Sequence, residues 1–264
     1  MSLHERGPQE SRSLDLKREP QFLHIGTEFD FGGIKERIIT RENLPLEDAR
    51  KILKGRVFGV LGYGVQGPAQ AMNLRDNGLP VIIWQRKEYS KPGKPKTSWE
   101  RAVDDGWKEG ETLFPDPDLK VVMQKANFIQ YLLSDAGQAQ RWPEIRALLK
   151  QGDVLQFSHG FAPVFHKLTE VVVPEFVDLT LIAPKGPGRG VREHFEHGRG
   201  VNSSVAVAQD ASGKALLLTL ASGMAIGSGF LFPTSFEKEV FSDLTGERGI
   251  LMGAFKGLMD ASYN

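Results

Sequence analysis

The chain has 264 residues, no cysteine, and 33 basic against 33 acidic side chains, for a formal net charge of zero. That balance argues against a nucleic-acid or anionic-membrane partner, and the lack of cysteine excludes disulfides, thiolate metal sites and a thiol nucleophile. The length suits one large α/β domain with a smaller element attached.

The opening stretch, MSLHERGPQESRSLDLKREP, carries Glu5, Glu10, Asp15 and Glu19 and no apolar core. It reads as neither a signal peptide nor an acid-poor transit peptide, and residues 1–28 are expected to form a polar, mobile arm. The expected setting is cytoplasmic, or an organelle matrix if a transit peptide was removed. Residues 29–54 combine the glycine pair Gly32 and Gly33 with an amphipathic piece over 46–53, which predicts a hairpin or strand and then a helix.

Residues 56–61 form a short apolar run, and Gly62, Gly64 and Gly67 follow at G-x-G-x-x-G spacing, with Pro68 near the start of a helical pattern. A strand, a glycine turn and a helix in that order make a dinucleotide cradle. The first glycine turns the chain, the second admits a pyrophosphate to the backbone, and the third lets helix and strand pack closely. The helix N-terminus then faces an anion.

The second strand is expected at 79–84. At its end, where an NAD-binding fold usually places an acidic residue, stand Gln85, Arg86 and Lys87, followed by Ser90, Lys91, Lys94, Lys96, Thr97 and Ser98. Cations and hydroxyls at this position suit a 2′-phosphate, which favours NADP over NAD; the alternative is a solvated charged loop.

A short helix over 98–106, a third strand over 126–133 and a helix over 138–150 follow. Ser134, Asp135 and Gln138 fall at the carboxyl edge of that strand, where α/β sheets bind ligands, although Ser134 or Asp135 equally suits a helix cap. A fourth strand over 153–157 ends in Ser158, His159 and Gly160, which makes His159 a candidate acid or base. The next, over 176–183, ends in Pro184, Lys185, Gly186, Pro187 and Gly188, and Lys185 is placed to orient an anionic or carbonyl oxygen.

His194 and His197 lie three apart, but nothing nearby completes a metal set. A last strand over 203–208 precedes a helix over 212–225. The uncharged stretch 215–236 is long enough to raise a membrane span, yet Gly223, Gly227, Ser228, Gly229 and Pro233 interrupt it, so a buried helix and a buried strand are expected instead. From Ser235 the pattern turns helical, with Asp243 and Glu247 four apart on one face, a spacing that fits a hard divalent cation such as Mg2+ and equally a solvated acidic face.

The expected fold class is α/β, a Rossmann-type, doubly wound, mostly parallel sheet. The domains are the arm (1–28), an NADP-binding domain with its lead-in (29–234), and the start of an all-helical domain (235–264).

Taken together, GYGVQGPAQAMNLRDNG, LLSDAGQ, FSHGF, APKGPG, GRGVNSS and SDLTGERGILMG occur in the order found in one family. The chain resembles ketol-acid reductoisomerase, the acetohydroxyacid isomeroreductase of branched-chain amino-acid biosynthesis, from about Gly32 to its last residue. The resemblance implies that Gly62, Tyr63, Gly64, Gln66 and Gly67 hold the NADPH pyrophosphate region, and that Arg86, Lys96 and Ser98 hold the 2′-phosphate. Ser134, Asp135, Gln138 and Gly160 would border the cofactor. It makes His159 and Lys185 the polar catalytic pair and Asp243 and Glu247 the ligands of Mg2+, two ions in the family.

The implied reaction is alkyl migration in 2-acetolactate or 2-aceto-2-hydroxybutyrate followed by reduction with NADPH, in a homodimer or larger assembly. The insertion from Lys91 to Lys96 departs from the family pattern. So does the end of the chain at Asn264, which leaves out the helical domain that follows in the family. The alternatives are therefore a catalytically incomplete NADPH-binding module, or a simple NADPH-dependent keto or hydroxy acid dehydrogenase working through Lys185 without isomerisation.

Overall fold

A computed structural model describes residues 14–22 and 25–263, with the side chain of Glu247 outside the description. Its elements in chain order begin with the hairpin β1 (Thr27–Asp30) and β2 (Lys35–Thr40), helix α1 (Leu46–Ile52), β3 (Phe58–Leu61), α2 (Gln66–Asp76), β4 (Val81–Trp84) and α3 (Ser98–Asp104). There follow β5 (Leu113–Phe114), α4 (Leu119–Lys125), β6 (Phe128–Tyr131), α5 (Asp135–Leu148), β7 (Val154–Phe157), and the single turns α6 (Phe161–Val164) and α7 (His166–Thr169). The chain closes with β8 (Asp178–Pro184), α8 (Gly188–Glu196), β9 (Ser203–Gln209), α9 (Ala215–Ala225), β10 (Phe230–Pro233), α10 (Phe236–Asp243), a π-helical segment (Leu244–Ala254) and α11 (Phe255–Tyr263).

The strands form one sheet of order β1-β2-β10-β9-β8-β7-β6-β3-β4-β5. From β8 to β5 every pairing is parallel. Strand order reverses at β3, which lies between β4 and β6, so the crevice above its carboxyl end is the expected ligand site of an open α/β sheet. The fold is the α/β, Rossmann-type arrangement expected. The sheet is mixed on its other side, because β9 runs antiparallel to β8 and β10 pairs parallel with β9.

The strands carry their apolar side chains on both faces, as buried parallel strands do. One face, with Val60, Ile83, Phe128, Val154, Ile182 and Val205, packs against α2 and α9 through Ala71, Leu74, Leu218 and Ala221. The other, with Leu61, Ile129, Leu155 and Leu181, packs against α4, α5 and Phe236 of α10. Within α9 all but two residues are buried, and it is 11 residues long, so among the described residues no helix is long and apolar enough to cross a membrane.

Residues 1–13, 23 and 24 of the expected arm lie outside the description, but 14–22 do not hang free. Asp15 N–H donates to Ala208 O (2.8 Å), Leu16 O accepts from Glu237 N–H (3.1 Å), and Phe22 is 2% exposed in the core. The polar composition of this stretch concealed its anchoring residues. Helix α5 begins three residues before its expected start because Ser134 Oγ accepts the Gly137 N–H and caps it. Beyond α10, Leu251, Met252, Phe255 and Leu258 are exposed.

Candidate active site

The glycine turn between β3 and α2 is built by close approach. Gly62 adopts φ +106°, and a Cβ there would meet Leu132 O at 2.9 Å. A Cβ on Gly67 would sit 2.2 Å from Gly62 O, and one on Gly188 would sit 1.9 Å from Val65 O. The start of α8 therefore lies directly against the turn, and Gln66 Nε2 reinforces the contact by donating to Gly186 O at 3.1 Å. Val65 at the start of α2 offers no side-chain cap, which leaves the first N–H groups of the helix for an anion.

Tyr63 does not face a ligand. It is fully buried, its hydroxyl donates to Asp105 Oδ2 (2.7 Å) and accepts from Trp107 Nε1–H (2.9 Å), and its N–H donates to Gln85 Oε1 (2.7 Å). Burial and then the Asp105 carboxylate push the Tyr63 hydroxyl pKa upward. Its role is to pin the turn.

In the loop after β4, three of the expected cations have an acidic partner. Arg86 Nε lies 2.8 Å from Glu88 Oε1, Lys87 Nζ 2.6 Å from Glu109 Oε1, and Lys96 Nζ 2.5 Å from Asp104 Oδ2. Ser98 opens α3 and accepts from Arg101 Nη2–H at 2.9 Å. Thr97 and Glu100 form a reciprocal capping box, and Glu100 also accepts from the N–H and hydroxyl of Ser90. Arg86 and Lys96 are exposed. Ion pairs in that setting hold little free energy.

At the carboxyl edges of β7 and β8 the structure assembles a charged cluster around α10. Glu239, 2% exposed, is its centre. Its Oε2 lies 3.3 Å from His159 Nδ1 and accepts the Gly160 N–H at 3.1 Å, while its Oε1 lies 3.5 Å from Lys185 Nζ. Asp243, one turn further along, has Oδ2 3.5 Å from His159 Nδ1.

Burial alone would lower the His159 pKa, but the contact with Glu239 and the charges of Glu239, Asp243 and Asp135 outweigh it and hold the pKa above its ordinary value. Burial would raise the Glu239 pKa, but contact with His159, the charge of Lys185 and the Gly160 N–H outweigh it and hold it below. Ligand atoms of His159, Glu239 and Asp243 all lie within 4.8 Å of one another, the one such group among the described residues.

Several expected cofactor contacts face elsewhere. Gln138 is 3% exposed, and its Nε2 donates to Tyr131 O (3.0 Å) and Leu133 O (3.1 Å), which ties the end of β6 to α5. Gly160 serves α10 instead: its N–H goes to Glu239, and a Cβ would press on Phe236 Cδ1 at 3.0 Å and Val240 Cγ2 at 3.1 Å. Ser134 is a helix cap, and Asp135 Oδ2 lies 3.5 Å from Arg248 Nη2.

His197 Nδ1 contacts Glu193 O at 2.7 Å, and neither His197 nor His194 belongs to a metal-ligand group. Glu239 was the residue that sequence reasoning missed. The signal was present, since Glu239, Asp243 and Glu247 repeat every four residues, the spacing of one helix face.

The family model for "Acetohydroxy acid isomeroreductase, NADPH-binding domain" matches residues 52–230. The chain is 53% identical over 235 residues to a ketol-acid reductoisomerase (NAD(+)) of Desulfosudis oleivorans, an alignment that covers 89% of this chain and 64% of that protein. It is 49% identical over 234 residues to the mitochondrial ketol-acid reductoisomerase of Neurospora crassa, covering 89% of this chain and 56% of that one. The chain thus spans less than two thirds of the length of both relatives.

Among solved structures it superposes on an NADH-preferring ketol-acid reductoisomerase from an uncultured archean with a TM-score of 0.72 and 34% identity, covering 85% of this chain and 64% of that one. The chain belongs to the acetohydroxy acid isomeroreductase family, of which residues 52–230 are the NADPH-binding domain.

Proposed function

We propose that the chain binds NADPH in the crevice above β3 and serves a Mg2+-dependent ketol-acid reductoisomerase acting on 2-acetolactate or 2-aceto-2-hydroxybutyrate. The observation that carries this reading is the convergence on one sheet edge of a dinucleotide cradle and the cluster Lys185, Glu239, His159 and Asp243. Arg86, Lys96 and Ser98 are the residues for the 2′-phosphate, and they favour NADPH although both NAD- and NADP-named relatives exist.

The donor set fits a hard cation through Asp243, whose carboxylate is partly exposed beside His159 and Glu239. Asp243 would hold the ion, with Glu247 as its family partner four residues on. Bound Mg2+ supplies Lewis-acid polarisation of the substrate's carbonyl and hydroxyl oxygens. The chain's own residues do the rest. Lys185 places a positive charge beside those oxygens, Glu239 orients Lys185 and His159 from beneath, and His159 holds or releases a proton at Nδ1.

The test is an absorbance assay of NADPH with 2-acetolactate, with and without Mg2+, on this chain and on Asp243→Asn. Mg2+-dependent oxidation lost in Asp243→Asn is the expected result. Mg2+-independent reduction of a simple 2-keto acid would overturn it in favour of hydride transfer assisted by Lys185 alone. Binding of NADPH without turnover would restrict the chain to a nucleotide-binding module.

A further inference from the structure

A row of buried polar side chains crosses the sheet on the α2 and α9 face and ends at the site. Gln130 of β6, Gln156 of β7 and Thr180 of β8 are register neighbours, and all are fully buried. Ser222 Oγ–H of α9 donates to Gln156 Oε1 at 2.6 Å, Gln130 Nε2–H donates to Gln70 Oε1 at 3.0 Å, and Gln70 Nε2–H donates to Ser158 Oγ at 2.8 Å. Between these two runs stand an unpartnered donor, Gln156 Nε2, and an unpartnered acceptor, Gln130 Oε1.

The run that reaches Ser158 starts at Gln130, which donates to Gln70, which in turn donates to Ser158. Gln70 Nε2–H also lies 3.5 Å from Gln66 Oε1, and Gln66 Nε2–H is committed to Gly186 O, so turning the Gln70 amide over would set its oxygen against the Gln66 oxygen. The consequence falls on Ser158. Its oxygen is occupied as an acceptor from below, its own O–H has no acceptor among the described residues, and the residue is half-buried beside His159.

We propose that Ser158 is a hydrogen-bond donor to the nicotinamide-bearing half of the bound dinucleotide, held in that role by the buried amide relay through Gln70 and Gln130. The topology selects the ligand half. The pyrophosphate belongs at the turn after β3, and the cationic loop for the 2′-phosphate follows β4 on one side. The other half of the dinucleotide must then extend over β6 and β7, and Ser158 directly follows β7. The acceptor is an oxygen of the nicotinamide carboxamide or of its ribose. This inference rests on the dinucleotide reading of the site.

Ser158→Ala and Ser158→Thr are titrated by fluorescence with NADPH and with 2′-phospho-ADP-ribose, which lacks the nicotinamide ring. Loss of one hydrogen bond should weaken NADPH binding about three- to tenfold in Ser158→Ala, with affinity largely restored in Ser158→Thr. Weakening for NADPH alone assigns the carboxamide, and equal weakening for both ligands assigns the ribose; either supports the proposal. Unchanged NADPH affinity in Ser158→Ala overturns it while leaving the dinucleotide site standing. Failure of the unaltered chain to bind NADPH overturns the site and this inference together.

Discussion

A buried carboxylate needs compensating partners, and Glu239 has them on every side: His159, Lys185 and the Gly160 N–H. The pH behaviour of the pair follows from the direction of each shift. His159, raised, contributes stability that is fully present below its unfolded pKa and is lost as pH rises through the folded value. Glu239, lowered, contributes stability present above its unfolded pKa and lost as pH falls through the folded value.

Replacing Glu239 by Gln removes the main influence holding the His159 pKa up, so the His159 titration followed by NMR in metal-free protein should move to lower pH; an unmoved titration would mean that Glu239 does not set it. At the other end of the crevice, Arg86→Asp should shift nucleotide preference from NADPH toward NADH in a fluorescence titration. An unchanged ratio would remove Arg86 from the 2′-phosphate site.

At the scale of elements, the site depends on α8 and α2 meeting without side chains between them. A methyl group at Gly188 would have to displace the Val65 carbonyl, so Gly188→Ala should cost about 1–3 kcal/mol in urea unfolding and weaken nucleotide binding. Gly190→Ala, whose Cβ would meet only Pro187 Cγ and Cδ at ordinary contact distances of 3.6 and 3.8 Å, should be near neutral in both measurements.

Much of this level was legible in the sequence, because apolar runs ending in glycine mark β3, β7 and β8 and place Gly62, His159 and Lys185 at their carboxyl ends. Less legible was where a side chain points. Gln138 and Gly160 stand at the right edge, yet one is turned into the interior and the other serves α10. The reversal of β9 and the two-residue edge strand β5 leave no periodicity to read. Lys96 was legible as a cation, but its partner Asp104 lies on the following helix, eight residues away.

Across the whole molecule, the sheet brings together residues from distant parts of the chain. The turn after β3 supplies the nucleotide cradle, the ends of β7 and β8 supply His159 and Lys185, and α10 closes over them with Glu239 and Asp243. Residues 14–22 fasten the start of α10 through Leu16 O and the Lys17–Glu237 pair, and Phe22 enters the core. The proposal that the crevice above β3 holds NADPH is open to a calorimetric titration with NADPH and then NADH. Saturable binding of one nucleotide per chain, tighter for NADPH than for NADH, is the expected result. Absence of binding, or equal affinity for the two, would contradict it.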